Sequence, residues 1–273
     1  MGVWKTCAGA LALCFALASA GAQAGCYDRL PQAPEGVGID RALYVLVDQT
    51  TPLDDTLKGR ILALVDDWGR RGDHVEVARF SANIRGRYPE LVFEGSVEPM
   101  ADEAFLYNLR YRDKRELLTC LEDQARQVRE GFRAALREVL DGSDFKIPKT
   151  DLFYSLKLLS EQMIQVEDAP ERVVLLVTDG FENSAVTSFY RRGKPRLPDA
   201  RKALAKVRRA GLLPNWKGSR IYVYGLGLMP DGKSYLKPQV AMGLRAFWER
   251  YFVAGNGDVA ALGTPELFLK RLR

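Results

Sequence analysis

The chain has 273 residues, 47% hydrophobic and 27% charged, with a formal net charge of +5. That composition excludes intrinsic disorder, because there are enough apolar residues for a core, and the length suits one large domain or two small ones. A single histidine excludes a multi-histidine zinc site, and nucleic-acid binding is not expected of a chain that reads as exported and carries no recognisable module for it.

Residues 1–24 read as a secretory signal peptide: Lys5, an apolar run from Ala8 to Ala20, then the small-residue sequence Ala22-Gln23-Ala24. The apolar run is shorter than the roughly 20 residues of a spanning helix, and no later run reaches that length. The protein is therefore expected in the periplasm or secreted. Removing the signal takes Cys7 and Cys14 with it and leaves Cys26 and Cys120, a pair that an oxidising compartment closes into a disulfide. The competing reading makes Cys26 a lipidated N-terminus, since Ala24-Gly25-Cys26 ends like a lipoprotein signal; only then would the protein touch a membrane.

After a tail over residues 25–40, three short apolar runs read as strands of a parallel sheet buried on both faces: Ala42–Val47, Val173–Val177 and Ile221–Leu226. Leu53, Leu57, Ile61, Leu64, Val65 and Trp68 recur at helical spacing after the first. Val75–Phe80 and Leu91–Val97 read as a hairpin that puts one antiparallel strand at the sheet edge. His74 stands at its start with no patterned partner, so no Ser-His-Asp triad is read. The segment 98–149 reads as a helical insertion of two helices. Leu152, Leu156, Leu159 and Met163 mark another helix, and Asp199–Ala210 a further one. A helix containing Phe247 and Trp248 is expected to run into a strand near Tyr251–Ala254, with Pro265 opening a last helix. Alternating strands and helices make the fold class α/β: a doubly wound, mostly parallel sheet with helices on both faces.

Such sheets bind ligands outside the carboxyl ends of their strands, where strand order reverses. Two buried strands end in aspartate, Asp48 and Asp179. With the hydroxyls of Thr50 and Thr150 they make a set of hard oxygen ligands of the kind Mg²⁺ takes.

These residues resemble the metal-ion-dependent adhesion site of the von Willebrand factor A domains. The match runs through Asp48-Gln49-Thr50-Thr51-Pro52, then Thr150 before a helix, then Thr178-Asp179-Gly180, with Ile221–Gly227 like the family's fifth strand. It covers residues 41–273. Pro52 replaces the family's second serine and offers no side-chain ligand, leaving Thr51 or Asp54 to compensate. The resemblance implies reversible, Mg²⁺-dependent capture of another envelope or secreted protein, and no catalysis.

Two other readings stand beside it. A haloacid-dehalogenase-like phosphohydrolase would use Asp48 as nucleophile with Asp179 helping to hold Mg²⁺. A metal-free structural module of an envelope assembly would bind no ion. From Phe181 to Ser219 there are ten Lys or Arg against Glu182 and Asp199. Within that stretch Arg191, Arg192, Lys194 and Arg196 form a candidate partner-binding group, read either as a steering lip or as a solvated face.

Overall fold

A computed structural model describes residues 25–34, 36–51, 53–81, 89–143, 151–192, 194–196, 199–229, 234, 236–264 and 266–272. Residues 1–24, Pro52, Thr150 and Pro265 therefore lie outside the described residues.

The central strands are β1 (Arg41–Asp48) and β4 (Glu171–Val177), paired in parallel. Alternation sends Leu43, Val45 and Val47 to one face and Ala42, Tyr44 and Leu46 to the other, and both sets are buried. That two-sided burial is why the strands read as unbroken apolar runs. Outward from β1 lies β2 (Asp73–Phe80), parallel, followed by β3 (Glu90–Ser96), antiparallel, at one edge. The small antiparallel pair β5 (Tyr190–Arg191) and β6 (Lys194–Pro195) stands apart from this sheet. Outward from β4 lie β7 (Arg220–Tyr224) and β8 (Asp258–Leu262), both parallel. The order β3-β2-β1-β4-β7-β8 reverses direction between β1 and β4, so the crevice of a doubly wound sheet falls at their carboxyl ends.

One face of the sheet is covered by α1 (Asp55–Leu64) and by α3 (Tyr111–Asp141), which follows the short α2 (Glu103–Asn108). The other carries α4 (Leu152–Leu159), extended by one π turn, α5 (Ala200–Arg209) and α6 (Pro238–Ala254). Capping explains several starts: Asp54, Asp102, Asp151 and Asp199 each accept a backbone N–H from three residues on. The helical segment after Glu98 divides its packing. Val128, Phe132, Leu136, Val139 and Leu140 of α3 join the core under β1 and β2. Leu117 and Leu121 pack instead with Tyr27 and Ala101 in a satellite cluster.

That cluster holds the N-terminal tail. Cys26 and Cys120 are disulfide-bonded with their Cα atoms 5.7 Å apart. The Tyr27 hydroxyl donates to Pro99 O and accepts from Ala101 N, both at 2.8 Å. The sulfur that lipidation of Cys26 would need is thus engaged.

The C-terminal segment departs from the sequence expectation in two places. Residues Tyr251–Ala254 are the last turn of α6, not a strand; Tyr251 and Phe252 are apolar because they belong to an aromatic cluster with Phe153, Phe247 and Trp248. The strand is β8, four residues further on. Residues 266–272 contain no helix; they lie along α1, with Leu272 N donating to Leu64 O and Arg271 paired with Asp67.

Candidate functional site at the carboxyl ends of β1 and β4

Asp48, the last residue of β1, is fully buried. Its Oδ1 accepts from the Thr50 amide (2.9 Å) and the Thr50 hydroxyl (2.7 Å). Its Oδ2 accepts from the Thr178 hydroxyl at 2.8 Å, across 130 residues of sequence. Thr178 Oγ1 in turn accepts from Gly180 N at 3.0 Å. The Thr51 hydroxyl accepts from Asp179 N at 2.9 Å, so the β1 loop and the β4 loop are cross-linked by hydroxyls in both directions. Asp179 Oδ1 accepts from Phe181 N at 2.9 Å.

The two carboxylates share one buried pocket of charge. Burial pushes the Asp48 carboxyl above its ordinary range, and the four hydroxyl and amide bonds around it only partly offset this. Asp179 is pushed well above its ordinary value, first by burial and then by the charge of Asp48. No described cation neutralises the pair.

Gly180 is required by the turn that presents Asp179. Its φ is +76°, and a Cβ there would stand 2.5 Å from Leu226 Cδ2 and 2.7 Å from Trp248 Nε1. Trp248 instead donates to Gly180 O at 3.0 Å, and Gly227 N donates to Asp179 O at 2.9 Å. Thus α6 and the loop after β7 fix the β4 loop from behind.

Of the residues expected at the site, Asp48, Thr50 and Asp179 come together; Thr150 lies outside the described residues, immediately before Asp151 and α4. Of the two compensating candidates for Pro52, Thr51 sits at the site. Asp54 does not: its carboxylate caps α1 through Leu57 N at 2.8 Å. Among the described residues no group of three His, Cys, Asp or Glu side chains gathers as a metal cluster. A bound ion would be held by two carboxylates, hydroxyls and water, a donor set that fits Mg²⁺.

Sequence reasoning missed Glu182. Fully buried, it accepts from Leu152 N (2.8 Å) and Phe153 N (3.3 Å) at the start of α4. Burial pushes its carboxyl up to about 8, with Ser184 lowering it and Asp151 raising it. Its signal in the sequence is slight: an acid three residues after Asp179, in a mostly cationic segment whose other acid is Asp199.

The basic group lies on a small hairpin of β5 and β6. Phe189 anchors it in the core, donating to Glu182 O and accepting from Arg196 N, each at 2.8 Å. Tyr190 packs on Phe181 with ring centroids 5.4 Å apart, and Asp179 and Asp48 add to burial in raising its phenol. Arg191, Arg192, Lys194 and Arg196 are exposed. The hairpin therefore sets four exposed cations on the segment that follows the Asp179 loop.

Strand order, the single antiparallel edge strand and helices on both faces are those of a doubly wound, mostly parallel α/β sheet, the arrangement expected of a von Willebrand factor A-like fold. No family model matches the chain, and no curated protein matches it. Among solved structures, it is similar to the pilus adhesin SpaC from Lactobacillus rhamnosus GG, with 13% identity over 83% of this chain and 29% of that one, at a TM-score of 0.43. The open conformation of that adhesin gives 12% identity, 84% and 28% coverage, and a TM-score of 0.39. The SpRpn10 VWA domain gives 10% identity, 84% and 92% coverage, and a TM-score of 0.33. The chain spans less than a third of the adhesin's length. These likenesses are distant.

Proposed function

We propose that the chain is an exported binding module that captures another envelope or secreted protein through the crevice between Asp48 and Asp179, with Mg²⁺ bound there. The observation that carries this reading is the meeting of two buried carboxylates, without a described countercharge, at the switch point of the sheet. A divalent ion relieves their repulsion and restores both to the charged form. Asp179 and Asp48 would hold it, with Thr50 and Thr51 fixing the loop. When bound, the ion would supply a Lewis-acidic position for a carboxylate of the partner.

The exposed hairpin of Arg191, Arg192, Lys194 and Arg196 raises the local concentration of an acidic partner and orients its approach. Export is supported by the Cys26–Cys120 disulfide, a bond that persists in oxidising compartments. Against the phosphohydrolase reading, both oxygens of Asp48 already accept hydrogen bonds and the side chain is buried, a poor disposition for in-line attack on phosphorus.

The test is calorimetric titration of Mg²⁺ and Mn²⁺ into the chelator-treated protein, with Asp179→Ala beside it. Saturable heat in the wild type that disappears in the variant is the expected result. Absence of binding in the wild type contradicts the metal role and favours the metal-free structural module.

A further inference from the structure

The other end of the sheet holds a second cluster. His74, expected to have no partner, is bonded through both ring nitrogens: Nδ1 to Ser96 Oγ and Nε2 to Glu76 Oε1, each at 2.7 Å. His74 is 2% and Glu76 5% exposed, whereas Ser96 is open to solvent. The three side chains share one face because residues 74 and 76 alternate in register on β2 and Ser96 is the cross-strand partner of His74. The Tyr44 ring backs the imidazole, centroids 6.4 Å apart.

The backbone adds a further element. Val97 N donates to Asp73 O at 2.9 Å, so His74 and Ser96 face one another as a pair that exchanges no backbone hydrogen bonds. Such pairs bring side chains close, and they leave the Ser96 amide pointing away from β2, toward the open edge of the sheet. A hydroxyl on a histidine, that histidine held by a buried carboxylate, and an amide at the hydroxyl's own residue with no acceptor among the described residues are the parts of an acyl-transfer site.

We propose that Ser96, His74 and Glu76 form a nucleophilic relay that transfers acyl groups from small, unhindered esters, independently of the Asp48 and Asp179 crevice. In the neutral tautomer with the proton on Nε2, His74 donates to Glu76 and its Nδ1 lone pair faces Ser96. Ser96 Oγ attacks the ester carbonyl carbon as its proton passes to Nδ1, forming the Oγ–C bond; the C–O bond to the alcohol then breaks and the alkoxide or phenoxide leaves. His74 returns its proton to that leaving group or to solvent. Water then attacks the acyl carbon, giving a proton to Nδ1; the Oγ–C bond breaks, and the proton returns to Ser96. Ser96 and His74 are the catalytic residues, and Glu76 is a positioning residue. Substrate is limited to small acyl groups because Ser96 stands on an open edge and no described cavity is lined by it.

Glu76 also sets the pH at which the relay works. Burial lowers the basicity of His74, but the hydrogen bond and charge of Glu76, with Glu167 and Glu94 adding, hold it above the usual histidine value.

The experiment is hydrolysis of p-nitrophenyl acetate by the disulfide-bonded protein, with mass mapping of a fluorophosphonate label, for wild type, Ser96→Ala, His74→Asn and Glu76→Gln. Ser96 is exposed, so Ser96→Ala should keep the native circular dichroism. The expected results are label on Ser96 and a hydrolysis rate at least about tenfold lower in Ser96→Ala, on the scale of a lost nucleophile. Glu76→Gln should move the midpoint of the pH–rate profile downward, which a merely structural role would not do. Hydrolysis unchanged in Ser96→Ala, or no label on Ser96 in the folded wild type, overturns the proposal.

Discussion

At the scale of single residues, the chain buries acids in unusual number where β1, β4 and α4 converge. Asp48, Asp179 and Glu182 are each fully or almost fully removed from water, and each has its carboxyl raised. Glu182 gives a clean test of what this costs. Unfolded, it loses its proton near 4.5; folded, it holds the proton up to about 8. A raised carboxyl leaves stability intact below the unfolded value and removes it as pH rises toward the folded one, so its penalty accumulates between those two limits. The loss is on the order of 4 kcal/mol across that window. Glu182→Gln keeps an acceptor for Leu152 N and Phe153 N but cannot ionise. Its melting temperature should therefore fall less than that of the wild type between pH 5 and pH 8, and equal slopes would show that Glu182 does not titrate there. Asp48 and Asp179 were legible as strand-end aspartates following unbroken apolar runs. Glu182 and the Ser96–His74–Glu76 relay were not: each depends on contacts across 20 or more residues, set by register and not by local pattern.

At the scale of elements, legibility followed burial. β1, β4 and β7 announce themselves because both faces are packed; α1 and α5 carry clear helical spacing and capping aspartates. β8 did not, because its sequence Asp258-Val259-Ala260-Ala261-Leu262 is weakly apolar and mostly half-exposed at the sheet edge. The aromatic end of α6 took its place in the reading, since a buried helix segment and a buried strand look alike over four residues. The long helix α3 has two roles along its length. At about 1.5 Å per residue it outruns the strands it covers, and its first turns carry the tail instead of the sheet. Gln49 Nε2 donates to Val139 O at 3.1 Å, which fixes its far end beside the Asp48 loop. The disulfide closes a span of 94 residues between tail and helix. Loss of that bond in Cys120→Ser should cost about 2–5 kcal/mol in denaturant titration by loop-closure entropy. Limited proteolysis should then cut within residues 25–40 while α3 to β8 stay protected. Equal resistance in both proteins would mean that Tyr27 and its hydrogen bonds hold the tail without the disulfide.

At the scale of the whole molecule, the sheet presents two chemically distinct ends. The carboxyl ends of β1 and β4 carry buried acids, with four exposed cations on the segment that follows Asp179; the amino end of β2 carries the His74 cluster. The first arrangement has a consequence for global stability. Buried like charges without a counterion weaken the fold more as pH rises, because the unfolded chain releases protons that the folded chain retains. An ion that binds only the folded state offsets this by mass action. The direct measurement is thermal unfolding of the full chain with Mg²⁺ and with chelator, at pH 5 and pH 8, for wild type and Asp179→Asn. Mg²⁺ should raise the wild-type midpoint, more at pH 8 than at pH 5, and leave Asp179→Asn unmoved, while that variant without metal should melt no lower than the wild type at pH 8. A midpoint that is the same with Mg²⁺ and with chelator at both pH values would contradict the divalent-ion site.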